Sequence, residues 1–241
     1  ARRYYTNIVG KYGPQVQAVL KKAETLDIQM LLPLHGFVWR EELGYLLGKY
    51  DLWSRYEPEV RGVMIAYASV YGGTENAANV LACRLAEQGV QVKMFDVSVT
   101  PAPYVVSDAF KYSHLVFASA TYNMGIFVTM EDLLHDIAAH ALADRRYALI
   151  ENGTWSPASG KKMDALLSPL KGWSAVEPVL TVKSALRPDQ AAQMQRLADA
   201  IAADVKAEQT EEDASGEGKH RYVCKVCGYV YEGDELPADY K

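Results

Sequence analysis

Between residues 60 and 206, short apolar runs take turns with stretches whose apolar residues recur at helical spacing. "VRGVMIAYAS" is followed by "TENAANVLACRLAEQ" and "VQVKMFDV", and the chain goes on through "HLVFASA", "RRYALIENG" and "AVEPVLTVK". Such alternation predicts an α/β fold, a parallel sheet covered by helices on both faces. Residues 1–59 are different. Helical patterns ("YGPQVQAVLKKAETLD", "REELGYLLGKYDLWSRY") flank one apolar run ending in "MLLPLHG", too little to close a core of its own. Residues 207–218, "AEQTEEDASGEG", contain no apolar side chain larger than alanine and read as an acidic linker. Residues 219–241 form a separate tail.

Charge and composition narrow the classes of partner. With 241 residues, a net charge of -5 and no basic run, the chain offers no surface for nucleic acid or an anionic membrane. No apolar stretch is long enough to span a bilayer and no signal peptide precedes the fold, so a soluble cytoplasmic protein is expected. Three cysteines, two of them in one C-x-x-C, suit a reducing compartment better than a disulfide framework.

The candidate chemistry lies in three loops. After the first predicted strand come Ser69, Val70, Tyr71, Gly72, Gly73 and Thr74. In doubly wound sheets, ligands sit beyond the carboxyl ends of the strands, where amides at a helix start favour a phosphate. The loop lacks both the lysine of a Walker A motif and the G-x-G-x-x-G of a dinucleotide site, leaving a cradle for one terminal phosphate built from hydroxyls and amides. The plainer alternative is a turn with Thr74 as an ordinary N-cap. Ser119, Ala120, Thr121, Tyr122, Asn123 and Gly125 follow the third strand, and Asn152, Gly153, Thr154, Trp155 and Ser156 follow the fourth. Both loops fall on the same sheet edge and offer polar groups with one aromatic each, able to cover a flat ring.

Other candidates are weaker. Cys224 and Cys227 have the spacing of two ligands to one metal, without a second pair, and spacing alone leaves zinc and iron both open. His35 stands alone in the first hundred residues. His135 and His140, five residues apart on a helix, point about 140° away from each other and cannot chelate; with His114 they read as structural. Cys83 falls on the expected inward face of its helix and reads as a small buried residue.

Residues 60–206 resemble a flavodoxin domain, with "SVYGGTE" matching the FMN-phosphate loop and "TYNMG" and "NGTWSP" the isoalloxazine loops. The segments "RRYYTNIVGKYGPQV" and "LLPLHGFVWR" resemble the end of the metallo-β-lactamase-like domain of flavodiiron proteins, and "YVCKVCGYVYEGDELPADY" resembles the first half of a rubredoxin. In this order the three resemble a flavodiiron protein with a fused rubredoxin. That resemblance implies a five-stranded sheet in the order 2-1-3-4-5, FMN on the loops, His35 as a diiron ligand, and Cys224 and Cys227 as half of a rubredoxin iron site. It further implies a chain cut at both ends and an oxidoreductase reducing O2 to water or NO to N2O. An NAD(P)H-dependent rubredoxin reductase would be the electron donor and a head-to-tail homodimer the working form. Two other readings are an FMN-binding electron carrier without reductase activity and an FMN-dependent NAD(P)H:quinone reductase.

Overall fold

The computed structural model describes residues 1–215, 220–223 and 230–233, with side chains described as far as residue 210. Two units are distinguished, Ala1–Val205 and Lys206–Lys241.

The first unit begins with α1 (Arg2–Tyr4), a π-helical turn (Tyr5–Val9), a 3-10 turn (Gly10–Tyr12), α2 (Gly13–Ala23) and α3 (Leu43–Ser54). Then come β1 (Val60–Ala68), α4 (Gly73–Glu87), β2 (Val92–Asp96), α5 (Ala102–Lys111), β3 (Tyr112–Tyr122), β4 (Gly125–Ile126) and α6 (Val128–Ala139). The sheet is completed through β5 (Arg146–Asn152), α7 (Ser159–Leu167), β6 (Ser174–Ala175) and β7 (Leu180–Val182), and α8 (Ala191–Ser215) follows.

Strands β2, β1, β3 and β5 lie side by side and parallel, and the fifth position is shared by two short strands, β6 and β7, each parallel to β5. This is the expected 2-1-3-4-5 order. One strand was not anticipated: β4 pairs antiparallel with the end of β3.

Successive residues in each central strand serve opposite faces, as the pleat requires. Met64, Ala66, Leu115, Phe117 and Leu149 join one core cluster, while Val63, Ile65, Val116, Ala118 and Ile150 join the other. The second cluster is roofed by α4 and α8 through residues such as Leu81, Leu85, Leu197 and Ile201, all fully buried. Each large aliphatic side chain buried this way contributes about 1.5–3 kcal/mol. Cys83 lies exposed, contrary to the expectation of burial. Leu81 and Leu85 hold the inward stripe, and a residue two positions from each is turned about 200° away from both.

The N-terminal segment shares the first cluster. Tyr5 and Trp53 are buried in it beside Phe110 and Phe117, with Val16 and Tyr50 packed against them. Arg2 fastens this segment to α5, donating to the Ser107 carbonyl and pairing with Asp108 at 2.8 Å and Glu59 at 2.7 Å. Burial alone would raise the Glu59 pKa, but the Arg2 charge and hydrogen bond, the Trp53 indole N–H and Lys49 outweigh it and hold the carboxyl below its usual range. Deeper in, the guanidinium of Arg145, 1% exposed, donates to the backbone carbonyls of Tyr56, Ala109, Phe110, Ala143 and Asp144.

At the start of β3, buried His114 meets Ser113 Oγ at 2.8 Å through Nδ1 and Asp204 Oδ2 at 3.1 Å through Nε2. Burial brings its pKa down to about 4, although Asp204 favours the charged ring. Its contribution to stability is therefore fully present above pH 6.5. It is lost as the pH falls from 6.5 towards 4, where the unfolded chain takes up a proton that the folded chain refuses. The loss reaches about 3 kcal/mol at pH 4. Urea unfolding of the wild type and His114→Gln at pH 7, 5.5 and 4 checks this: the gap between the two should narrow on acidification, and parallel curves would refute the assignment.

The acidic stretch after residue 206, expected to be a linker, is helical as far as Ser215. Alanine, glutamate and glutamine are too polar or too small to build a core, yet they are good helix formers, so α8 runs on through them. In the second unit β8 (His220–Val223) pairs antiparallel with β9 (Val230–Gly233). Cys224 and Cys227 lie outside the described residues, as does the rest of the linker.

Candidate functional site

The loops after β1, β3 and β5 leave one edge of the sheet together, because these neighbouring strands are all parallel. Helix α4 starts directly in the first loop. Its N-cap is Gly72, in the left-handed region at φ +85°, and no side chain caps the helix. Thr74 is thus not the cap; it lies inside the first turn, 1% exposed. The opening amides of a helix have no intrahelical acceptor, and without a capping side chain they are offered to an incoming anion. Ser69 Oγ accepts the Gly72 N–H at 3.0 Å, which folds the loop back on itself.

Gly73 explains why two glycines are needed. A Cβ there would stand 1.9 Å from the carbonyl oxygen of Ser184, so only glycine lets the chain after β7 cross the helix start. Ser184, itself left-handed at φ +68°, is the residue the sequence reading missed. Its N–H donates to Asn152 Oδ1 at 2.9 Å and its carbonyl accepts from Asn152 Nδ2 at 3.1 Å. Asn152 Nδ2 also donates to Thr74 Oγ1 at 3.2 Å, and Thr154 Oγ1 meets Ser184 Oγ at 2.7 Å. Asn152 therefore ties the first, third and a fourth loop into one scaffold.

Two of the predicted residues, Ser119 and Thr121, hold the loops together. Ser119 is fully buried; its hydroxyl donates to the Ala120 carbonyl and accepts the Phe127 N–H. Thr121 Oγ1 accepts from the amides of Ala158 and Ser159, capping α7. Tyr122 ends β3, and Asn123 and Met124 make a tight hairpin with φ of 48° and 60° before Gly125 opens β4. Positive φ at both central residues is the mark of a type I′ turn, which suits asparagine better than methionine.

Three aromatic residues of the loops face solvent. Tyr71 is 96% exposed and Trp155 93%, while Tyr122 is half-exposed and packs edge-on to Phe127. Val70, Thr154 and Ser156 are also exposed, whereas Gly153 is kept tight by Pro157, 2.9 Å from where its Cβ would be. The sequence-predicted loops thus meet at one sheet edge on a base of partly buried polar bonds, with exposed aromatic rings among them.

His35 is elsewhere. It is exposed in the N-terminal segment, stacked on Tyr4 with ring centroids 4.6 Å apart. Among the described residues, no group of three or more His, Cys, Asp or Glu could hold a metal ion. No helix among them is long and apolar enough to cross a membrane.

Comparison with known proteins follows the same lines. Residues 65–197 match the sequence pattern of the flavodoxin family. The anaerobic nitric oxide reductase flavorubredoxin of Aeromonas hydrophila subsp. hydrophila is 25% identical over 195 residues, which are 79% of this chain and 38% of that protein. Rubredoxin oxygen:oxidoreductase from Desulfovibrio gigas superposes with a TM-score of 0.80 at 24% identity, and the flavodiiron protein from Giardia intestinalis with 0.78 at 21%. Each superposition covers 86% of this chain and 52% of the other, so the chain spans about half the length of these structures. The chain belongs to the flavodoxin family; it is similar in sequence to a flavorubredoxin and shares its fold with flavodiiron proteins.

Proposed function

We propose that residues 60–206 bind FMN on the four joined loops and pass electrons within a flavodiiron-type oxidoreductase that reduces O2, NO or both. The observation that supports this best is the start of α4, uncapped and approached by Ser184 as only a glycine at 73 permits. That cradle fits a phosphate carrying about two negative charges. Ser69, Gly72, Gly73 and Thr74 would hold the phosphate, with Asn152 fixing the frame from below. Tyr122 and Trp155 would cover the flat ring, and Tyr71 would close its rim. When bound, FMN supplies transfer of electrons singly or in pairs.

The chain's own part is to orient the ring and keep it against the loops. Asn152 is buried and makes three hydrogen bonds, so the base of the site does not need to rearrange when the ligand arrives.

The described residues do not fit a diiron centre, since His35 belongs to no group of three or more His, Cys, Asp or Glu among them. Reduction of O2 or NO, electron entry from rubredoxin iron at Cys224 and Cys227, an NAD(P)H-dependent rubredoxin reductase as donor, head-to-tail dimerisation and a cytoplasmic site remain parts of this proposal. They draw on the relatives named above as a nitric oxide reductase and a rubredoxin oxygen oxidoreductase.

Phosphate recognition supplies the test. FMN and riboflavin share the ring and differ in the phosphate, so quenching of flavin fluorescence should report FMN binding at least about 100-fold tighter than riboflavin. Equal affinities would remove the phosphate cradle and the reading built on it.

A further inference from the structure

A second cleft, of about 690 Å3, lies between the N-terminal segment, α3, the edge strand β2 and α5, and none of its residues belongs to the flavin loops. Its size suits a small organic ligand. Glu59 and Asp108, the acids lining it, are occupied: Arg2 pairs with both, and Lys49 pairs with Glu59 at 3.1 Å. These four charges cancel. Besides the α-ammonium of Ala1, two side-chain cations in the lining, Arg3 and Lys93, have no ion-pair partner among the described residues. Each is held over a ring. The Arg3 guanidinium lies 4.4 Å from the Tyr104 centroid, and the Lys93 ammonium 5.3 Å from that of Phe95. Trp39 and Tyr45, also in the lining, stack with centroids 6.2 Å apart and planes 28° from parallel.

Surplus positive charge and flat apolar walls in one cleft select for a ligand with both complements. The cations alone would take any anion, and the rings alone would take any apolar plate. Together they favour an aromatic ring that carries negative charge, since stacking and charge-assisted hydrogen bonds then add on one molecule. A ring-bearing phosphate monoester has about two negative charges, equal to the surplus at Arg3 and Lys93.

We propose that this cleft binds a planar aromatic anion of the mononucleotide class, with its base against Trp39 and Tyr45 and its phosphate at Arg3 and Lys93. The site is independent of the flavin, so it stands whether or not the loops bind FMN.

Equilibrium dialysis of AMP against the full chain, with one equivalent of FMN present to fill the loops and no free excess to compete in the cleft, tests it. Saturable retention of one AMP per chain is expected. Retention should weaken at least about tenfold in an Arg3→Glu/Lys93→Glu double variant and by a smaller factor in Trp39→Leu. Adenosine and inorganic phosphate, each having half of the recognised features, should compete poorly. The proposal fails if AMP is not retained at about 5 mM. It also fails if the charge-reversed protein, shown to be folded by its circular dichroism, retains AMP as well as the wild type. Equal displacement by inorganic phosphate would overturn the role of the rings, and a polyglutamate peptide that binds where AMP does not would reassign the cleft to an acidic protein segment.

Discussion

Replacing Gly73 by alanine is expected to abolish tight flavin binding while leaving the fold in place. The new methyl group would sit 1.9 Å from the Ser184 carbonyl oxygen, a backbone atom that moves only if the chain between β7 and α8 moves with it. Shifting that chain breaks the two bonds between Ser184 and Asn152, and through Asn152 it loosens Thr74. A loss of about 3 kcal/mol in binding, roughly 100-fold in Kd, follows from the displaced cradle. Fluorescence titration with FMN, alongside a circular dichroism melt, reads both quantities. Gly72→Ala is the control of opposite character: nothing lies within 4 Å of its Cβ, but φ +85° strains any L side chain. That variant should lose about 1–2 kcal/mol of stability with a milder effect on FMN. If Gly73→Ala binds FMN within about threefold of the wild type, Ser184 does not shape the site.

Arg145→Leu should lower the free energy of unfolding by about 4 kcal/mol, a large fraction of what a domain of this size has. The guanidinium, 1% exposed, serves five carbonyls drawn from α5, the turn before β5, and Tyr56 at the end of the N-terminal segment. Leucine fills part of the volume and leaves those acceptors without donors inside a low-dielectric core. Arg145→Lys restores the charge with three donors on one nitrogen, a geometry that cannot fan out to five acceptors, and should recover only part of the loss. Chemical denaturation of the three proteins at pH 7 decides the matter. A change below about 1 kcal/mol for the leucine variant would show that water reaches the carbonyls in its place.

The sheet was legible because its information is local: each central strand is a continuous apolar run, and that pattern survives in any tertiary setting. The three loops were legible for a related reason, since parallel strands put their carboxyl ends on one edge. Ser184 was not. It sits in a polar turn like many others, and its importance comes from meeting Gly73 and Asn152, far away in sequence. Ser119 and Thr121 make bonds within the loops that the sequence does not show, because a hydroxyl facing a ligand and one binding the amides of a neighbouring element look alike in a sequence. Cys83 could have been placed correctly by counting helical phase from Leu81 and Leu85. Arg145 could not: at the mouth of a strand an arginine usually reaches solvent, and only the folded chain reveals five carbonyls around it.

Similarity to flavodoxins begins at residue 65, yet Tyr5 and Trp53 are buried in the same cluster as Phe117, and Arg145 reaches across to Tyr56. The piece that recombination could lift out intact is therefore larger than the piece that sequence comparison recognises. A flavodoxin grafted in at residue 60 would arrive without the surfaces that Tyr5 and Trp53 require. Conversely, this sheet cut free at that point would show water the face now packed against Tyr5 and Trp53.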